Sequence, residues 1–108
     1  MKFGLSDKSL STIAAIFSRY PAVTRAVVYG SRAKGNYRPG SDIDITLETT
    51  PDFTRETLLS ICNDFDDSDL PYLADISQKS ALTNPDLLAH IDRVGQTLWE
   101  KTPSGEHT

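Results

Sequence analysis

Asp42 and Asp44 are the residues of this chain whose type and spacing point most directly to chemistry. They belong to a stretch, Asp42 to Glu48, that alternates strictly. Ile43, Ile45 and Leu47 fall on one side, and Asp42, Asp44, Thr46 and Glu48 on the other. Such alternation predicts a half-buried β-strand, and a spacing of two in a strand points both carboxylates the same way. Adjacent carboxylates repel unless a proton or a cation neutralises them. A hard divalent ion is the usual neutraliser, and Mg²⁺ favours carboxylates together with substrate phosphates. An Asp-x-Asp on a wet strand face needs no ligand, so the pair gains meaning only from its surroundings.

Those surroundings are informative. Ala26-Val27-Val28-Tyr29 reads as a buried strand that stops at Gly30-Ser31, and Ser31 to Lys34 reads as a short helix. Glycine permits close backbone approach, serine offers a hydroxyl, and free N–H groups at a helix start attract phosphate. Arg32 and Lys34 add positive charge nearby. Gly35 to Ser41 is dense in turn formers and predicts a loop, so a phosphate cradle and a carboxylate pair sit one loop apart. A third acid, Asp75, lies between Ala74 and Ile76 in a stretch, Leu70 to Ile76, that reads as a third strand starting after Pro71. Aspartate is depleted in strands and costly in an apolar run unless paired or bound to a cation. Set beside the Asp42–Glu48 strand, Asp75 would complete a two-metal site.

The remaining elements must hold these residues in place. Ser6 or Asp7 caps a first helix carrying Leu10, Ile13, Ala14, Phe17 and Tyr20 at helical spacing, and Pro21 ends it. A second long helix is expected over Phe53–Phe65, with Phe53, Leu58, Leu59, Ile61, Cys62 and Phe65 as its apolar stripe. The acidic run Asp64 to Asp69 closes it and is expected to be solvated. Asn84-Pro85 opens a last helix, with Leu87, Leu88, Ile91, Val94 and Leu98 facing the core. Gly95 weakens that helix and marks its end, leaving Thr97 to Trp99 as a short extension. The order predicts an α/β (α+β) class, a small mixed sheet flanked by helices, with one domain over residues 1–101 and a flexible polar tail over 102–108.

With 108 residues there is room for one small core. No apolar run approaches the roughly 18 residues of a membrane span, and no secretory signal is visible at the start. The single cysteine, Cys62, excludes a disulfide scaffold or a multi-cysteine zinc site, and a cytoplasmic protein is the default expectation. Net charge is −4 and the pI about 5.0, so direct nucleic-acid binding is not expected. The charge is uneven: residues 1–41 carry +6 and residues 42–108 carry −10. A cationic segment thus runs straight into a carboxylate-rich one, the arrangement a metal-bound polyphosphate would need.

Gly30-Ser31, ten residues, then Asp42-Ile43-Asp44 has the form G-S-x10-D-x-D. That pattern resembles the signature of the nucleotidyltransferase superfamily that includes DNA polymerase beta. The string GSRAKGNYRPGSDIDI is similar to the minimal nucleotidyltransferases of bacteria and archaea, and the likeness covers roughly residues 10–100. There is a further likeness to the antitoxin of a two-gene system whose partner is a helical HEPN protein. The resemblance implies that Asp42, Asp44 and Asp75 coordinate two Mg²⁺ ions. It implies that Ser31 and the Gly30 backbone hold the β- and γ-phosphates of ATP, with Arg32 and Lys34 as further phosphate contacts. The implied reaction moves AMP from ATP to a hydroxyl and releases pyrophosphate. The chain shows no acceptor-holding helical domain, so the resemblance implies an acceptor in trans, a tyrosine hydroxyl of the HEPN partner, with self-association or hetero-association left open.

Two other readings compete. One is a module of the same fold that neutralises its partner by occlusion without catalysis. The other is transfer to a small molecule or an RNA end, disfavoured because no acceptor domain is visible and the acidic C-terminal half is expected to repel RNA. His90 is expected on the helix surface or half-buried beside the apolar stripe rather than as a catalytic base, because no nucleophile pattern accompanies it. Cys62 is expected to pack, Trp99 and Tyr72 to pack or form an interface, and Tyr37 and Arg38 either to contact the nucleotide or a partner or to occupy an exposed loop.

Overall fold

The computed structural model describes residues 3–38 and 40–101. Helix α1 (Asp7–Ser18) is followed by β1 (Val23–Tyr29), short α2 (Gly30–Lys34), β2 (Ile43–Thr49), α3 (Arg55–Asp67), β3 (Ala74–Gln78), a 3₁₀ turn (Lys79–Ala81), α4 (Pro85–Val94) and β4 (Gln96–Glu100). Among the described residues no helix is long and apolar enough to cross a membrane. The expected tail at 102–108, and Pro39 of the expected loop, lie outside the described residues.

Local chemistry accounts for most of the boundaries. The Ser6 hydroxyl accepts the Ser9 N–H and caps α1, Thr54 does the same for α3 through the Thr57 N–H, and Asn84 caps α4 by accepting from Asp86 and Leu87. Pro85 takes the first position of α4, where its missing N–H costs nothing.

The sheet has four strands in the order β3-β2-β1-β4. β1 pairs antiparallel with β2 and β4, and β2 pairs parallel with β3. A parallel pair needs a crossover, and α3 supplies it. One face of the sheet, formed by Ala26, Val28, Ile43, Ile45, Leu47 and Ile76, meets Ile13, Ile16 and Phe17 of α1 and Ile61 and Phe65 of α3. Phe17 is fully buried between two other rings, 5.5 Å from Phe65 and 5.8 Å from Trp99. α4 lies against the other face, near Val27 and Tyr29.

Four expectations need correction. The stretch after Gly95 is a strand, not a helical extension: Gly95 has extended geometry (φ −62°, ψ 139°), and Gln96–Glu100 pairs along the open edge of β1. The third strand begins at Ala74 rather than after Pro71, and Leu73 before it is 71% exposed. Phe53 is buried but precedes α3, while Leu59, expected in the apolar stripe, is exposed because it points off the side of α3 away from α1 and the sheet. Asp64 is not simply solvated. It accepts a 2.5 Å hydrogen bond from the Tyr20 hydroxyl and pairs with Arg19, tying α3 to the end of α1, and burial with that bond pushes the Tyr20 pKa up to about 12.

Phe17 carries more packing than any other single side chain at this junction. Phe17→Ala is expected to destabilise the fold by about 3–5 kcal/mol, measured as a lower urea midpoint with an unchanged slope.

Candidate active site

The strand ladders put the site together. Tyr29 at the end of β1 is in register with Asp44 of β2, and Asp44 with Asp75 of β3. Residues in register across a sheet share a face, so the three side chains form a row on the side opposite the hydrophobic core. Asp42 stands just before β2 and is exposed, as is Asp75 on its edge strand, whereas Asp44 is half-buried. The burial cost expected for Asp75 is therefore absent, because β3 is an edge and its carboxylate reaches solvent. The polar side of β2 is less open than its alternation implies: Thr46 is fully buried and receives a 3.0 Å hydrogen bond from the Ser77 hydroxyl of β3.

Asp44 bears the electrostatic cost. Burial raises its pKa first, and Asp75 and Asp42 raise it further. Burial likewise raises the Tyr29 phenol; a hydrogen bond with Ser77 pulls it down, and Asp44 and Asp75 push it up. Asp42, Asp44 and Asp75 thus act on one another, yet among the described residues no group of three or more His, Cys, Asp or Glu is gathered closely enough to hold a metal ion as it stands. The donors are nevertheless all hard carboxylate oxygens, the set that suits Mg²⁺, and unneutralised carboxylates have every reason to stand apart.

Gly30 closes the site from the β1 side. Its φ of +73° favours glycine, and a Cβ there would run into the Asp44 carboxylate. The Ser31 carbonyl accepts from Gly35 and Asn36, while its hydroxyl has no hydrogen-bond partner among the described residues. The Gly30 N–H is already engaged, donating to His90 Nε2 at 3.2 Å. His90, half-buried on α4, thus sits at the site. No local pattern reveals this, since only the packing of α4 beside α2 brings it there.

Arg32 is placed differently from expectation. It is buried, with Nε and Nη2 donating to the Ser41 carbonyl (3.1 and 2.5 Å) and Nη1 to the Phe3 carbonyl (2.9 Å). Its guanidinium carbon lies 5.1 Å from the Tyr37 ring centre and 4.8 Å from that of Tyr72. Arg32 ties the loop before β2 to the N-terminal segment, and two aromatic rings enclose it. Lys34, at the last position of α2, is exposed.

The sequence of residues 11–104 matches the family described as Polymerase beta, Nucleotidyltransferase. The chain belongs to this nucleotidyltransferase family. No curated protein matches it. Solved structures of similar fold include a toxin–antitoxin complex with AMP-PNP (TM-score 0.68, 18% identity, covering 85% of this chain and 73% of that one). Another is the complex of a tri-AMPylated Shewanella oneidensis HEPN toxin with its MNT antitoxin (TM-score 0.61, 16% identity, 85% and 70% covered). A nucleotidyltransferase from Sulfolobus solfataricus is also similar (TM-score 0.53, 19% identity, 85% and 77% covered). For this nucleotidyltransferase the likeness places the mixed sheet and its flanking helices within the family's fold.

Two predictions follow from the site's energetics. A carboxyl whose pKa is higher in the native than in the unfolded state binds protons more tightly when folded. Stability then falls as pH rises from the ordinary value of 3.8 through the raised one, and stays lower at neutral pH. Asp44→Asn should therefore melt a few degrees above wild type at pH 7 and lose that advantage below the ordinary carboxylate pKa, as read by calorimetry across pH. Arg32→Lys replaces a planar fork by a point charge and should cost about 2 kcal/mol in urea unfolding.

Proposed function

We propose that this chain is a Mg²⁺-dependent nucleotidyltransferase that moves AMP from ATP to a hydroxyl of a separate helical protein of HEPN type, and that it serves as the antitoxin of that pair. The observation that carries the reading is the registered pair Asp44–Asp75 on adjacent parallel strands, with Gly30 set against the Asp44 carboxylate. Family membership supports nucleotidyl transfer. The structural neighbours solved with AMP-PNP and with an AMPylated HEPN toxin support the nucleotide and the partner.

Asp42, Asp44 and Asp75 would hold two Mg²⁺ ions. When bound, the metal supplies charge neutralisation to the carboxylates and to the phosphates of ATP. The chain's own residues have distinct parts. Ser31, with its hydroxyl unspent, donates to a phosphate oxygen of ATP beyond the transferred group. Gly30 keeps that corner close to Asp44. Asp75 is exposed on an edge strand and so open to an acceptor arriving from another protein, and its carboxylate receives the proton of the acceptor hydroxyl. The acceptor oxygen bonds to the α-phosphorus as the bond to the bridging oxygen breaks, and pyrophosphate leaves. The exposure of Asp75 on an edge strand supports an acceptor supplied in trans. The exposed Lys34 adds charge near the phosphates; Arg32, already committed to Ser41 and Phe3, supports the loop instead.

A second reading, neutralisation by occlusion, draws on one observation: the Gly30 N–H is occupied by His90 rather than left open. The two separate in one assay. ATP labelled at the α-phosphate, Mg²⁺ and a HEPN-type partner protein should yield label on the partner, lost with EDTA and with Asp44→Asn. A tight complex that never acquires label would instead establish occlusion. In parallel, Mg²⁺ should raise the melting temperature of wild type and leave Asp44→Asn unmoved.

A further inference from the structure

His90 takes no part in the transfer described above, yet from α4 it reaches the Gly30–Ser31 corner. Its Nε2 accepts the Gly30 N–H at 3.2 Å, and its ring meets Tyr29 edge-on at 6.2 Å between centroids. The stretch of α4 that carries it is held firmly. Ile91, the next residue, is buried, and the Gly95 N–H closes the helix on the Ile91 carbonyl at 2.7 Å. A side chain at Gly95 would strike that carbonyl and Val27, so the end of α4 lies flush on β1. Gln96, just beyond, donates through Nε2 to the Ala33 carbonyl of α2 and binds the two segments a second time. His90 therefore approaches Gly30 from a rigid base.

We propose that His90 is a positioning residue for nucleotide binding. By accepting the Gly30 N–H, it holds the glycine in the left-handed turn (φ +73°) that keeps the corner against Asp44. A glycine turn is the most freely rotating backbone in the site, and a fixed acceptor removes that freedom before ATP arrives. The bond needs an unprotonated Nε2, so the ring proton resides on Nδ1. The role rests on the nucleotidyltransferase reading for its consequence, and on the hydrogen bond alone for its geometry.

Two variants of the full chain separate the acceptor from the ring. His90→Gln keeps an acceptor oxygen at similar reach and loses the aromatic contact with Tyr29. His90→Phe keeps the ring and loses the acceptor. Amide hydrogen exchange of Gly30, followed by NMR, should be slow in wild type and His90→Gln and fast in His90→Phe. Affinity for ATP with Mg²⁺ should fall about fivefold in His90→Phe and hold in His90→Gln. In the transfer assay the same loss should appear in KM for ATP, with kcat little changed. The proposal is overturned if His90→Phe retains both protection and affinity, or if the two variants lose them equally, which would assign the effect to ring packing. Fast Gly30 exchange in wild type would overturn the hydrogen bond itself. A wild-type chain with a protected Gly30 that binds no ATP would instead sink the nucleotidyltransferase reading, and the consequence drawn for His90 with it.

Discussion

Like charges in register are the constraint around which this molecule is built. Asp44 and Asp75 are paired residues on adjacent strands, and like charges directly opposite one another destabilise a sheet. Asp42 adds to the repulsion and partial burial of Asp44 sharpens it. Nothing within the described residues pairs these carboxylates with a lysine or arginine, although the same sheet pairs Glu48 with both Arg25 and Lys79. The chain thus uses basic partners where a carboxylate is structural and withholds them where the carboxylates face the candidate site. A repulsion kept in this way marks these carboxylates as a candidate functional site.

The cost is tolerable because the opposite face of the sheet is tightly packed. Two helices close over Ile43, Ile45 and Leu47, and Phe17 joins Phe65 to Trp99 at the centre of that layer. Each residue of β2 therefore has a defined side. Slipping the strand by one would bury the aspartates and expose the isoleucines, so core packing fixes the register of the charged row as firmly as any contact within the row.

The corner opposite is held from two sides. Arg32 spans from α2 to the Ser41 and Phe3 carbonyls, with its guanidinium between two tyrosine rings, and so anchors the loop that leads into Asp42. His90 anchors Gly30 from α4. A five-residue helix followed by an eight-residue connection has little stability of its own. Its geometry is borrowed from an arginine and a histidine that the linear pattern assigns to other tasks.

The local elements were legible because their causes are local. Capping residues, Pro85, the alternation of β2 and the turn-rich stretch after Lys34 act over a few positions, and so does the G-S-x10-D-x-D spacing that marks the family. Nothing short-range marks residues 96–100 as a strand. They become one only because β1 leaves an edge to pair with. The linear pattern offers Arg32 as a phosphate contact and His90 as a helix-surface or half-buried residue, and proximity in sequence says nothing of the carbonyls and amides that other elements bring to a side chain. Composition and spacing are enough to say which groups this protein owns and on which face of β2 they stand. That Asp75 sits beside Asp44, that Arg32 is enclosed and that His90 reaches Gly30 follows instead from strand order and helix packing, which join residues far apart along the chain.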